Sequence, residues 1–154
     1  MEIKRDEYAG EIIIRKAGPA DMEAVLELAG DVFEGEQGIP RSLNPIPPEN
    51  APQWWCAVTE GRIAGVAAAF VEDGRWHIGR LAVAKEMRGR HIATDLLRTA
   101  AAFVFDQGAD IIYMEARDIT VAIVKKMGGR VAGEPVPFYQ GTVTPVVLEK
   151  ERFQ

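Results

Sequence analysis

The chain has 154 residues, of which 47% are hydrophobic and 27% charged, enough for one buried core and a soluble surface. Its formal net charge of −5 argues against broad nucleic-acid binding, which needs a basic field, but not against a local basic site for an anionic ligand. One cysteine, Cys56, excludes an intrachain disulfide and a cysteine-based zinc centre, and its apolar neighbours predict an inert buried thiol. Residues 1–6 lack the apolar core of a secretory signal, and no apolar run approaches the roughly 20 residues that span a bilayer. The expectation is one domain over 1–154, cytoplasmic, with no metal and no membrane or nucleic-acid partner.

Residues 11–15 carry three adjacent isoleucines and predict a strand. Pro19 and Asp21 open a helix that runs to about Phe33, with Met22, Val25, Leu26 and Ala29 on its buried face. Gly35, Gly38, Pro40, Pro45, Pro47, Pro48 and Pro52 then predict an irregular stretch, either a flap over a site or a plain linker. Strands follow at 54–59, 62–71 and 75–84, joined by turns at Glu60-Gly61 and Glu72-Asp73-Gly74. Trp54 and Trp55 fall on opposite faces, so one belongs to the core and the other is free for a pocket or an interface.

Residues 85–89 form a polar loop, and residues 91–107 show the longest helical pattern, stopped by Gly108. A strand at 110–115, a helix at 118–127 capped by Asp118 or Thr120, and strands at 130–132 and 142–148 complete the chain. Hairpin strands mixed with intervening helices define an α+β sheet protein.

The junction at residues 83–93 carries the chemistry. A helix N-terminus presents free N–H groups with partial positive charge, which together form an anion site. Arg88 and Arg90 add two charges there, and Gly89 allows close backbone approach. The structural alternative is an ordinary strand-loop-helix turn with solvated arginines.

The stretch Ile78-Gly79-Arg80-Leu81-Ala82-Val83-Ala84-Lys85-Glu86-Met87-Arg88-Gly89-Arg90-His91-Ile92-Ala93-Thr94-Asp95-Leu96-Leu97 resembles the central motif of the GNAT superfamily of acyl-CoA-dependent N-acetyltransferases. Arg88 and Ala93 match the ends of its Arg/Gln-x-x-Gly-x-Gly/Ala pattern. Phe33-Glu34-Gly35-Glu36-Gln37-Gly38-Ile39-Pro40 is similar to the Phe-x-x-Glu-Gln-Gly-Val-Pro stretch of one bacterial subgroup. The resemblance implies a mixed, mostly antiparallel twisted sheet of about seven strands, with helices on both faces and splayed central strands. It implies acetyl-CoA as acyl donor, with its pyrophosphate on Arg88, Gly89, Arg90, His91, Ile92, Ala93 and Thr94, and its pantetheine against Leu81, Ala82 and Val83. The gap would lie between the 75–84 and 110–115 strands. Homodimers are common in the superfamily.

Three positions depart from the family pattern. His91 replaces the middle glycine; it could donate to a phosphate, point outward, or weaken cofactor binding. Val124 stands where many members carry a tyrosine that protonates the departing thiolate. Gly141-Thr142-Val143-Thr144 lacks the subgroup's histidine. Amine acetylation needs a base, a positioned thioester and a stabilised oxyanion, the last from a backbone N–H such as that of Val83. Candidate bases are Glu36, in the loop similar to the subgroup's acceptor segment, and Glu115; His77 reads better as a partly buried structural residue. Tyr139 is a candidate acid, whereas Tyr113 reads better as a packing residue.

The expected activity is acetyl transfer to a primary amine of a small molecule or peptide. The alternatives are a CoA-binding module with little or no catalysis, and a domain that has lost the cofactor and serves in protein association.

Overall fold

The structure, a computed structural model, describes residues 3–7, there as backbone, and residues 10–154. Strands β1 (Ile3–Glu7), β2 (Gly10–Lys16), β3 (Gln53–Thr59), β4 (Arg62–Glu72) and β5 (Arg75–Val83) follow one another as antiparallel neighbours. Then β6 (Ile111–Ala116) lies parallel to β5, and β9 (Thr142–Glu149) lies antiparallel to β6. The two-residue strands β7 (Arg130–Val131) and β8 (Val136–Pro137) both pair with β9. This is the expected mixed, mostly antiparallel α+β sheet. The strands β1 and β8 were not expected: the first is mostly charged and the second only two residues long.

Three α-helices cover the sheet: α1 (Met22–Gln37), α2 (Ile92–Asp106) and α3 (Asp118–Lys126). The alternation of β4 separates two cores. Val66, Ala68 and Phe70 face α1 with Val25, Ala29 and Trp54, while Ala67 and Ala69 face α2 with Leu96, Ala100, Val104 and Trp55. Both tryptophans are therefore core residues, 6% and 2% exposed, which corrects the expectation that one would be free. Each large apolar side chain so enclosed contributes about 1.5–3 kcal/mol. Cys56 is fully buried, and burial pushes its thiol pKa up, as an inert cysteine requires.

Helix α1 runs four residues past the expected end. Gly35 is tolerated inside it, and the stop is Gly38, at φ 69°, whose N–H returns to Glu34 O while Ile39 N–H reaches Phe33 O. Glu36 is thus a helix residue, not a loop residue. Helix α3 is capped by Arg117 rather than by Asp118 or Thr120, and without a side-chain cap bond. Among the described residues, no helix is long and apolar enough to cross a membrane, and no group of His, Cys, Asp or Glu is placed to hold a metal ion.

Candidate active site

The site grows from a defect in the sheet. β5 and β6 share one register pair, His77 with Tyr113, although β5 continues to Val83 and β6 to Ala116. Beyond that pair the two strands stand apart. Ala84 N–H reaches Ala64 O on β4, so by strand alternation the N–H and C=O of Val83 face the other way, into the gap. A groove of about 1120 Å³ runs through this opening, slightly larger than the usual ligand site of about 300–1,000 Å³.

A β-bulge shapes the same strand. Val66 pairs with Ala82 but Ala68 pairs with Gly79, so Arg80 and Leu81 together oppose Ala67. Arg80 takes the left-handed conformation, φ 55°. The extra residue switches faces: Ile78 packs in the α2 core, whereas Ala82, four residues on, packs in the α1 core.

At the C-terminal end of β5, a 3-10 turn at Lys85–Met87 leads to α2. Gly89 has φ 84° and a Cβ there would meet open space, so the loop surface is bare backbone. His91 is the N-cap of α2 at φ 63°, which explains why the related pattern has glycine there. Histidine is among the residues that tolerate this region. Among the described residues, no acceptor faces the N–H groups of Gly89, Arg90 and His91. With the first N–H groups of α2 they form a cluster of free donors. Gly65 lets this end sit close: a Cβ there would come within 2.8 Å of Ile92 Cγ2 and 3.1 Å of Leu96 Cδ1.

Leu81, Ala82, Val83, Arg88, Gly89, His91, Ile92, Ala93 and Thr94 all line the groove. Arg90 does not; its Nη1 is buried without a partner, so its charge is not at the groove surface as expected. Arg88 lines the groove but is engaged. Its Nε donates to Val83 O at 3.1 Å and its Nη2 to Glu36 Oε2 at 2.8 Å. The Arg88 hydrogen bond holds the Glu36 carboxyl below its ordinary pKa.

Of the acid and base candidates, Glu36 and Glu115 line the groove, and Glu115 is exposed on β6 where that strand has left β5. Tyr139 is 51% exposed in the turn between β8 and β9 and stands off the groove, which its neighbour Phe138 lines. Val124 is fully buried in the α2 core. His77 stacks on Phe70, ring centroids 5.4 Å apart, and Tyr113 lies under Arg75.

The far end of the groove is built by residues 39–50, so the irregular stretch is a wall of the site rather than a plain linker. Ile39 and Ile46 anchor it in the α1 core, and Arg41 ties it to Asp31 and Glu34 of α1. Two residues not singled out from the sequence stand here: Arg80 and Asn44. Their signal is the bulge and the fold of the flap, both invisible before the strands are paired.

A family model described as the acetyltransferase (GNAT) family matches residues 22–128. The chain belongs to that family. An uncharacterized N-acetyltransferase of Methanocaldococcus jannaschii is 30% identical over 115 residues, 69% of this chain and 68% of the relative. Among solved structures, Escherichia coli ElaA superposes with a TM-score of 0.77 at 17% identity, covering 90% of this chain and 99% of that one. A GNAT-family acetyltransferase of Staphylococcus aureus gives 0.72 at 18% identity, covering 90% and 98%. At these identities the structural matches establish the fold alone.

Proposed function

We propose that this protein transfers an acetyl group from acetyl-CoA to a primary amine of a small molecule or peptide. The observation that carries the reading is the gap between β5 and β6, open at one end onto the free donors of residues 89–91 and the start of α2. Those donors suit a pyrophosphate, and the backbone of Leu81 and Val83, turned into the gap, suits the amides of a pantetheine arm. The donor set therefore fits acetyl-CoA, which supplies the activated acyl group as a thioester.

The chain's own part is positioning. A neutral amine entering from the flap side meets the acyl carbon, forming the C–N bond, while the Val83 N–H stabilises the charge on the carbonyl oxygen. The C–S bond breaks, the thiolate leaves, and the amine's proton passes to a base. Glu115 is the better base. Glu36 is already engaged by the Arg88 hydrogen bond, which lowers its affinity for a proton. With Val124 buried and Tyr139 off the groove, solvent protonates the thiolate.

The second reading, a CoA-binding module with little catalysis, is favoured by the lack, among the described residues, of a tyrosine hydroxyl at the groove. One experiment separates the two. Acetyl-CoA is titrated calorimetrically, and thiol release is then followed across a broad panel of amines. Turnover supports acyl transfer; binding without turnover supports the second reading; no binding at millimolar concentration overturns both.

A further inference from the structure

We propose that the flap end of the groove binds a carboxylate through Arg80 and Asn44, so that the acceptor is an amine that also carries a carboxylate, of the amino-acid type. The proposal rests on the acyl-transfer reading and names the substrate class of that site.

Arg80 stands where it does because of the bulge. Its left-handed backbone takes the side chain out of the regular alternation of β5 and lays it beneath the flap. There Nε donates to Asn44 O at 3.2 Å and Nη2 to Leu43 O at 3.1 Å, and the guanidinium lies 5.7 Å from the Phe70 ring centroid. The third nitrogen, Nη1, has no acceptor among the described residues. Among the described residues, no carboxylate lies within ion-pair distance of Arg80; Glu72 acts on it only at longer range. Burial accordingly pushes its pKa down. Arg80 is a half-buried cation with no carboxylate beside it, and carbonyl dipoles compensate its charge only in part.

Asn44 supplies the second half. It is 3% exposed and lines the groove, and its Nδ2 has no acceptor among the described residues. A buried amide left so is destabilising, and a ligand oxygen would recover that loss. Arg80 bonds the backbone oxygen of this same residue, so both side chains belong to one end of the groove. Two unused donors at one end of a groove, one of them cationic, suit the two oxygens of a carboxylate.

The position excludes the cofactor's phosphates as the partner. Arg80 lies three residues up β5 from Val83, about 10 Å at strand rise and on the side away from the loop at residues 88–94. The same end also carries Glu72, which suits the ammonium form in which such an amine arrives.

The test compares each amino acid with its decarboxylated amine: L-leucine with isopentylamine, L-phenylalanine with phenethylamine, L-lysine with cadaverine. With acetyl-CoA present, at least one amino acid should exceed its partner in kcat/KM by about tenfold or more, the size of one charge-assisted hydrogen bond. Arg80→Gln and Asn44→Asp should each bring that ratio towards one, chiefly through KM, while Arg80→Lys should retain part of it. Circular dichroism and the CoA dissociation constant establish that each variant is folded; should Arg80→Gln not fold, Asn44→Asp decides. Equal or reversed ratios in the wild type overturn the proposal. If no amine turns over, acyl transfer itself fails, and calorimetry on the CoA-loaded protein decides the carboxylate site. Binding of N-acetyl-L-leucine but not N-isopentylacetamide, lost in Asn44→Asp, supports it. Equal binding of the two, or none, overturns it.

Discussion

His91 shows how one side chain meets a backbone demand made by the fold. Its φ of 63° is what turns the chain from the loop into α2, and an L-residue pays about 1–2 kcal/mol for that region where glycine does not. His91→Gly should therefore be more stable than His91→Ala by about 1 kcal/mol in thermal unfolding, since both delete the imidazole and only one keeps a Cβ. Glu36 makes a second case. Its bond to Arg88 competes with any phosphate for the same guanidinium. Glu36→Gln should tighten acetyl-CoA binding by up to about fivefold in calorimetry, the scale of an exposed ion pair. Weaker binding would show that the pair organises the loop instead. Both effects are local, yet only half of each was legible in the sequence. The glycine-to-histidine change could be seen in the residues; the left-handed backbone that gives it meaning, and the helix turn that carries Glu36 to Arg88, could not.

Elements dock here through small residues and short polar links. Gly65 on β4 is the floor on which the first turn of α2 rests, and Ile92 above it is buried and branched, with no room to turn away. Gly65→Ala should cost about 1–3 kcal/mol of stability by denaturant unfolding and weaken acetyl-CoA binding as the helix start is lifted. At the start of α1, Asp21 accepts from Arg15 at 2.8 and 3.0 Å and from Gly18 N–H at 2.7 Å. The Arg15 bond first, then the Gly18 bond, lowers its pKa from 3.8 to about 2. A carboxyl with a depressed folded pKa stabilises above its unfolded value and loses that contribution as pH falls through the folded one. The wild type should therefore lose stability relative to Asp21→Asn as pH drops from about 4 to 2, and keep its advantage at neutral pH. Hairpin turns such as Glu60-Gly61 were legible in the sequence because positive φ is a demand of two adjacent residues. The bulge at Arg80 was not, because it exists only relative to the register of β4.

Across the whole molecule, the groove lies where the sheet stops being a sheet. β5 carries α1 and the flap on one side of the chain order, β6 carries α3, and a single register pair joins the strands at their far ends. A ligand in the gap would replace the missing ladder with its own amides and tie the halves together. Acetyl-CoA at 100 times its dissociation constant should raise stability by about 2.7 kcal/mol, read as a rise in Tm that desulfo-analogues share and free pantetheine largely lacks. No shift at any concentration would show that the folded chain does not bind acetyl-CoA.

What the sequence determined by itself was local and periodic: the helices whose apolar residues recur at helical spacing, the strands bounded by turn residues, and a glycine-bearing basic loop before a long helix. These depend on neighbours within a turn or a pleat, so a single chain spells them out. Only the tertiary structure decided what those pieces face. It put Arg90 away from the groove, Arg88 on Glu36, both tryptophans in the core, and Arg80 beside Asn44 with donors unused. Such relations join residues tens of positions apart through strand register and a bulge, and periodicity carries no information at that range.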